Sequence, residues 1–169
     1  MKVYTSETQS THRTKERIKV GIADFAVGID DTTLVTSGLG SCVGIAVFDA
    51  RQSVGGLAHA MLPTANDDEN DAKYVDTAVP ALVEEMESEG AVPGDLRAKL
   101  AGGATMFDFT SAEESIGDRN VNAARDTLDS LDIPLVAEDV GGGHGRSLRF
   151  SVRTADLRIR SANAGESTI

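Results

Sequence analysis

A chain of 169 residues with 40% hydrophobic content can bury one hydrophobic core, so we expect a single domain. Its net charge of −11 argues against binding to nucleic acid or to an anionic membrane surface, because either polyanion would repel it. Asp outnumbers Glu, Arg outnumbers Lys, and aromatic residues make up only 4%, a balance typical of a protein from a high-salt cytoplasm. An ordinary acidic protein is the alternative interpretation.

The single cysteine excludes an intramolecular disulfide bond. No signal peptide is recognisable, and no apolar run is long enough to cross a bilayer. We therefore expect a cytoplasmic protein that does not insert into a membrane.

The first half of the chain is rich in short apolar runs that predict strands. Residues 1–17 are polar and basic and are interpreted as a flexible arm. Weak alternation over 18–29 predicts a first strand. A Gly/Ser turn then introduces the apolar run 43–49, and a polar turn at 49–53 separates it from a second run over 54–63. These two runs are expected to pair as a β-hairpin.

The second half of the chain predicts two helices and further strands. Apolar residues recur at helical spacing over 73–90, where Pro80 is expected either to kink the helix or to delay its start. Asp118 is expected to cap a second helix with an apolar stripe that includes Val121 and Ala124. The remaining strands are predicted over 95–100, 133–140, 146–152 and 157–159, before a polar tail at 161–169. The fold class is therefore α+β, with a sheet-rich core and about two main helices outside it.

The residues best suited to catalysis are expected around the single cysteine, Cys42. It follows the Gly/Ser turn that contains Gly40 and Ser41, and the free N–H groups of this turn could face an oxyanion. The predicted hairpin brings His59, one of three histidines, back towards Cys42. A thiol beside an imidazole is the arrangement needed for nucleophilic catalysis, and such an activated thiol is expected to ionise below the pH of a free thiol.

Two other interpretations of Cys42 and His59 remain open, and a later glycine-rich segment has to be compared with a phosphate-binding loop. A free cysteine is commonly a small buried hydrophobe, and a histidine in a strand is commonly a satisfied core residue. Cys42, His59 and His144 could form a zinc site, although a fourth ligand is not evident. The segment 141–146 is glycine-rich, but it is not a phosphate-binding P-loop because a predicted strand follows it instead of a helix. A wall of a substrate groove fits this segment better.

Several ordered motifs resemble the CheD family of chemoreceptor glutamine deamidases. The likeness covers about residues 18–159. The motifs are Thr36, Gly38-Leu39-Gly40-Ser41-Cys42, His59-Ala60-Met61-Leu62-Pro63, Gly102-Gly103-Ala104 with Met106-Phe107, Ile116-Gly117-Asp118-Arg119-Asn120, and Glu138-Asp139-Val140-Gly141-Gly142-Gly143 before Gly145-Arg146.

The resemblance implies a layered α/β/β-type sandwich over 18–160 that hydrolyses the side-chain amide of receptor glutamines. It implies Cys42 as nucleophile, His59 as base and Thr36 as the third catalytic residue. The glycine loops would line the substrate or oxyanion site through Gly40, Ser41, Gly102, Gly103 and Gly142. The implied partners are chemoreceptor cytoplasmic helices and a CheC-type phosphatase, and neither a cofactor nor a metal is implied. The alternative is a non-catalytic module that regulates the receptors or CheC.

Overall fold

The computed structural model describes residues 16–66, 70–105, 114–162 and 165–169. Nearly all of the arm predicted at 1–17, and the Met106-Phe107 motif, lie outside these residues. The described strands are β1 Arg17–Lys19, β2 Asp24–Ile29, β3 Thr33–Leu39, β4 Val43–Asp49, β5 Val54–Ala60, β6 Arg97–Gly102, β7 Leu135–Val140, β8 Arg146–Ser151, β9 Asp156–Ser161 and β10 Gly165–Thr168. The described helices are α1 Val75–Ser88 and α2 Ile116–Ser130, and short 3-10 turns occur at Asp71–Lys73 and Pro93–Asp95.

The strands form two mixed five-stranded sheets. We call the sheet with strand order β2-β5-β4-β6-β7 the central sheet, and the sheet with order β1-β3-β8-β9-β10 the outer sheet. In the central sheet the pairs β2–β5, β4–β5 and β4–β6 are antiparallel and β6–β7 is parallel. In the outer sheet β1–β3 is parallel and the other pairs are antiparallel.

Two hydrophobic layers hold these elements together. The first lies between the helices and the central sheet, where Val79 and Leu82 of α1 pack with Ile45 and Val47 of β4. The second lies between the two sheets and includes alternate β4 residues, such as Ala46 and Phe48, with residues of β3, β8 and β9. Every residue of β4 and β5 is buried because both faces of the central sheet are covered. The layered α/β/β architecture is therefore confirmed.

The segment predicted as one strand over 18–29 forms two strands in different sheets. β1 pairs with β3 in the outer sheet, whereas β2 pairs with β5 in the central sheet. Ala23 lies in the turn between the two strands and has a positive φ of 59°, the left-handed conformation. The weak alternation in the sequence did not reveal this break.

Both predicted helices are present, with differences at their starts. Pro80 lies inside α1 and is exposed, and the helix begins at Val75, so Pro80 does not delay its start. The cap of α2 is Ser115, whose hydroxyl accepts from the N–H of Asp118, so the prediction that Asp118 is the cap was wrong. Neither helix, nor any other in the described residues, is long and apolar enough to span a membrane.

The segment interpreted as a polar tail carries the last strand of the outer sheet. Residues Gly165–Thr168 stay exposed but pair with β9 as β10. Ile169 exchanges backbone hydrogen bonds with Leu157, and Lys99 donates to the Ile169 carbonyl at 2.9 Å. The end of the described chain is therefore held against both sheets.

Candidate active site

The β4–β5 hairpin places Cys42 and His59 on the same face of the central sheet. Gly44 lies directly opposite His59 in the antiparallel register, so the predicted hairpin is confirmed. A Cβ atom on Gly44 would lie 2.3 Å from Leu148 Cδ1, so this face is turned towards the outer sheet. Cys42 precedes Gly44 by two residues and packs on the cluster between the sheets. Both side chains therefore belong to the layer between the sheets.

Thr36 of β3 reaches the same layer from the outer sheet. Its Oγ1 lies 2.8 Å from Nδ1 of His59, and it also donates to the Val20 carbonyl at 2.8 Å. A hydroxyl has a single proton, and a carbonyl can only accept, so Oγ1 must accept from Nδ1–H of His59. This pair of hydrogen bonds assigns the tautomer of neutral His59, with the proton on Nδ1 and the lone pair on Nε2.

The remaining nitrogen of His59 is a buried base without a partner. His59 is 0% exposed, and its Nε2 forms no hydrogen bond within the part of the chain that the structure describes. Burial lowers the pKa of the imidazole, because a charged ring would lose its solvation. At neutral pH His59 is therefore uncharged, with an available lone pair.

Cys42 is partly exposed and is held as a thiol. Burial raises the pKa of the Cys42 thiol, and a hydrogen bond from its own backbone N–H opposes this shift in part. The direction of this shift is opposite to the lowered pKa that the sequence led us to expect, because desolvation outweighs the backbone hydrogen bond. Nε2 of His59 does not yet hydrogen-bond the sulfur, a common feature of catalytic pairs without substrate.

The turn before Cys42 is fixed by three hydrogen bonds to its consecutive carbonyls. The Gly40 carbonyl accepts from the N–H of Ala104, and the Cys42 carbonyl accepts from the N–H of Gly103, each at 2.9 Å. The Ser41 carbonyl accepts from the side-chain amide of Asn120 at 2.8 Å. In the described chain, the N–H groups of Gly40 and Ser41 donate to no acceptor. They are free to meet a ligand.

Gly102 and Gly103, at the end of β6, pack against the backbone of the turn that contains Cys42. Gly102 has a φ of +110°, and a Cβ there would lie 2.5 Å from the Cys42 carbonyl oxygen. Gly103 has a φ of +66°, and a Cβ there would lie 2.3 Å from Val121 Cγ2. Because its N–H already donates to Cys42, Gly103 is engaged in holding the turn. Only glycine allows this close backbone approach.

The glycine-rich segment 141–146 contacts the loop at Gly102-Gly103 and Thr105, which supports the turn of Cys42. The exposed Gly142 accepts from the N–H of Thr105 through its carbonyl. The Arg146 side chain is buried, donates to Asp139 at 3.0 Å and lies 3.4 Å from the Gly102 carbonyl. β8 follows this segment directly, as the sequence predicted.

The alternative zinc site receives no support from the geometry. Nδ1 of His59 is occupied by Thr36, and His144 lies beside Gly142. Across residues 16–66, 70–105, 114–162 and 165–169, no group of three His, Cys, Asp or Glu side chains is close enough to hold a metal ion.

Asn120 ends one of the family motifs, but the sequence analysis gave it no role in the site. It is 0% exposed, and its amide nitrogen donates to the carbonyls of Ser41 and Met61 at 2.8 and 2.9 Å. It thus ties the turn of Cys42 to the segment that follows His59. The sequence does contain a signal for Asn120: it lies on the apolar stripe of α2 that continues through Ala124 and Leu128, where a hydrophobic residue is expected.

Comparisons with known proteins agree with this arrangement. A family model described as CheD chemotactic sensory transduction matches residues 61–161. A Haloarcula marismortui protein named probable chemoreceptor glutamine deamidase CheD is 47% identical over 173 residues, covering 100% of both chains. A Clostridium novyi protein of the same name is 43% identical over 156 residues, covering 89% of this chain and 96% of the relative. The acidic composition fits the first relative, which comes from a halophilic archaeon.

A solved structure shares the fold at low sequence identity. The Neisseria meningitidis protein NMB0706, of the family DUF152, matches with a TM-score of 0.53 and 13% identity, covering 86% of this chain and 78% of that one. The family model spans more than half of the chain, and the Haloarcula relative is similar along the whole of it. This chain therefore belongs to the CheD family.

Proposed function

We propose that this protein deamidates glutamine side chains of chemoreceptors in the cytoplasm, with Cys42 as nucleophile, His59 as base and Thr36 as the residue that orients His59. Family membership and the names of its relatives support the substrate class. The observation that carries the assignment of residues is the Thr36–His59 hydrogen bond, because it leaves Nε2 as the free basic nitrogen.

In the first half of the reaction, Nε2 of His59 takes the proton of the Cys42 thiol as the sulfur attacks the carboxamide carbon of glutamine. Because both groups are uncharged before substrate binds, proton transfer accompanies the attack. The negative charge that develops on the amide oxygen is stabilised by the free N–H groups of the turn. The imidazolium returns its proton to the nitrogen, ammonia leaves, and a thioester remains.

In the second half, His59 takes a proton from water, which attacks the thioester carbon. The carbon–sulfur bond breaks, the sulfur regains a proton from the imidazolium, and the glutamic acid side chain that is released loses its proton to solvent. The net reaction consumes one water and yields one ammonia for each glutamine, and no cofactor participates.

Mass spectrometry of a receptor cytoplasmic fragment tests this proposal. Incubation with wild-type protein is expected to convert specific glutamines to glutamate, whereas Cys42→Ser is expected to fold normally and convert none. Ser37→Ala, which changes a nearby hydroxyl of β3, is the matched control and should stay active. Near wild-type conversion by Cys42→Ser would refute Cys42 as nucleophile. Binding of the fragment without conversion by the wild type would favour a non-catalytic regulatory module.

We further propose that a CheC-type phosphatase binds in the groove beside Cys42 that takes the receptor helix. The groove would be bounded by the turn of Cys42 and by the loops at Gly102-Gly103 and 141–143. Added CheC should lower the deamidation rate, and more receptor should restore it. An unchanged rate with CheC demonstrably bound would place the CheC site elsewhere.

A further inference from the structure

The solvent-facing side of the outer sheet is strongly basic in an acidic protein. This side has a shallow concavity of about 760 Å³. The residues that line it include Arg17, Lys19, Arg149, Arg158 and Arg160, with Glu166 at one edge. We call these five cations the basic face. The whole chain has 27 acidic and 16 basic residues, so this side reverses the overall charge balance.

Strand register places the cations in ordered rows. Lys19 lies beside Val35, Val35 is opposite Arg149, and Arg149 is opposite Arg158. Arg149 and Arg158 are both exposed, and like charges directly opposite each other destabilise an antiparallel pair. Nothing in the fold requires either arginine, since neither side chain enters the core.

Four of the five cations of the basic face also lack acidic partners. In the part of the chain that the structure describes, Arg17, Lys19, Arg149 and Arg158 form no ion pair, and Arg160 approaches Glu166 at 3.9 Å. Elsewhere each of Arg51, Arg125, Arg146 and Arg153 lies against a carboxylate. Arg97, Lys99 and Arg119 also form no ion pair among the described residues, so the basic face is distinguished by bringing four such cations together on one side of a sheet.

From this charge pattern we infer that the basic face docks a carboxylate-bearing helix of a partner protein. Neighbouring strands are about 4.8 Å apart and same-face residues about 6.6 Å apart along a strand. Carboxylates at positions i and i+4 of a helix are about 6 Å apart, and those at i and i+7 about 10.5 Å. The spacing of carboxylates along one side of a helix is therefore comparable with the spacing of the cations on the basic face.

The net charge favours a compact acidic helix over a longer polyanion. On the opposite side of the molecule, α1 presents Glu84, Glu85 and Glu87 to solvent. Nucleic acid or an anionic membrane would extend beyond the basic face and meet the acidic remainder of the chain. In molar salt the Debye length is about 3 Å, so a docked helix would sense mainly the cations that it contacts directly. This docking is independent of the proposed deamidation.

Fluorescence anisotropy with a labelled alanine-rich helical peptide tests the inference. The peptide, about 20 residues long so that the helix is stable, has glutamates at i, i+4, i+7 and i+11. The matched peptide has glutamines there. We expect the full-length protein to bind the glutamate peptide, with affinity falling as salt rises, and to bind the glutamine peptide much more weakly.

The double variant Arg149→Gln/Arg158→Gln should weaken binding about tenfold, the effect of losing two charge contacts at an interface. Arg51→Gln/Arg97→Gln removes the same charge away from the basic face and should change affinity less than about twofold. Cooperative urea unfolding of the first double variant, with a wild-type circular dichroism spectrum, would establish that it folds.

Four outcomes would overturn the inference. They are absence of peptide binding, equal binding of the glutamine peptide, equal binding by the Arg149→Gln/Arg158→Gln variant, and tighter binding of a single-stranded oligonucleotide or an anionic vesicle than of the peptide. Self-association in sedimentation experiments that only the basic-face variant abolishes would instead assign the surface to a second copy of the chain.

Discussion

Thr36 Oγ1 lies 2.8 Å from His59 Nδ1 and joins the two sheets through a buried hydrogen bond. Because the Thr36 proton goes to the Val20 carbonyl, this contact sets the tautomer of His59. In the proposed site, a neutral threonine orients the imidazole as a carboxylate does in Ser-His-Asp triads, but it adds no negative charge beside the ring.

Replacing Thr36 with valine keeps the size of the side chain but removes the acceptor of Nδ1–H. A buried donor without a partner costs about 1–3 kcal/mol of folding free energy. Deamidation should fall by about tenfold or more, because the imidazole would lose its fixed tautomer and orientation. Thr36→Ser is the matched control and should restore activity. Equal rates for the valine and serine variants would show that the oxygen does not position His59.

Replacing His59 with glutamine removes the base while keeping a polar side chain. Loss of a general base is expected to slow deamidation by about 10² to 10⁴-fold. Alkylation of Cys42 by iodoacetamide at neutral pH should also slow, since proton removal from the thiol would then depend on solvent. Alkylation at the wild-type rate would show that His59 does not activate the thiol.

The pH dependence of Cys42 alkylation reports its protonation state without substrate. Burial raises the pKa of this thiol, so the neutral thiol is favoured and the alkylation rate should rise through a midpoint above that of a small free thiol. The same protein unfolded in urea is the control and should show the ordinary midpoint. A rate that is already maximal below neutral pH would instead indicate a preformed thiolate–imidazolium pair.

Asn120 should position the nucleophile without touching substrate. Asn120→Ala removes two donors, leaves the Ser41 and Met61 carbonyls without that partner, and should lower kcat more than it raises KM. Its unfolding free energy should fall by about 1–3 kcal/mol. Asn122→Ala, which alters an exposed contact to Glu114, is the control on the same helix. Loss of stability with unchanged kcat would make Asn120 purely structural.

Salt should stabilise the folded chain. With a net charge of −11, repulsion between carboxylates opposes the compact state, and added ions screen it. The urea midpoint should rise from low to molar salt, and each kcal/mol gained should raise the melting temperature by about 2–4 °C for a chain of this size. Sucrose at matched osmolality is the control. A midpoint that is flat in salt would count against adaptation to high salt.

The sequence alone determined the elements with strong local signals. The apolar runs and the polar turn between them predicted the β4–β5 hairpin, and helical periodicity predicted α1 and α2. Alternation of side chains along a strand then directs Cys42 and His59 to one face once the register is known. The family motifs supplied the expectation for Thr36, whose residue type in a strand has no chemical signal of its own.

Tertiary structure decided what depends on contacts between distant segments. The packing of the two sheets showed that Thr36 accepts from His59. The contacts of α2 and of the end of β6 showed that Asn120 ties two parts of the site together and that Gly103 holds the turn. The direction of the Cys42 pKa shift was decided in the same way, because desolvation depends on which atoms surround the sulfur. The basic face likewise requires strand order, since its cations come from β1, β8 and β9, which are separated in the sequence and adjoin one another only through the outer sheet.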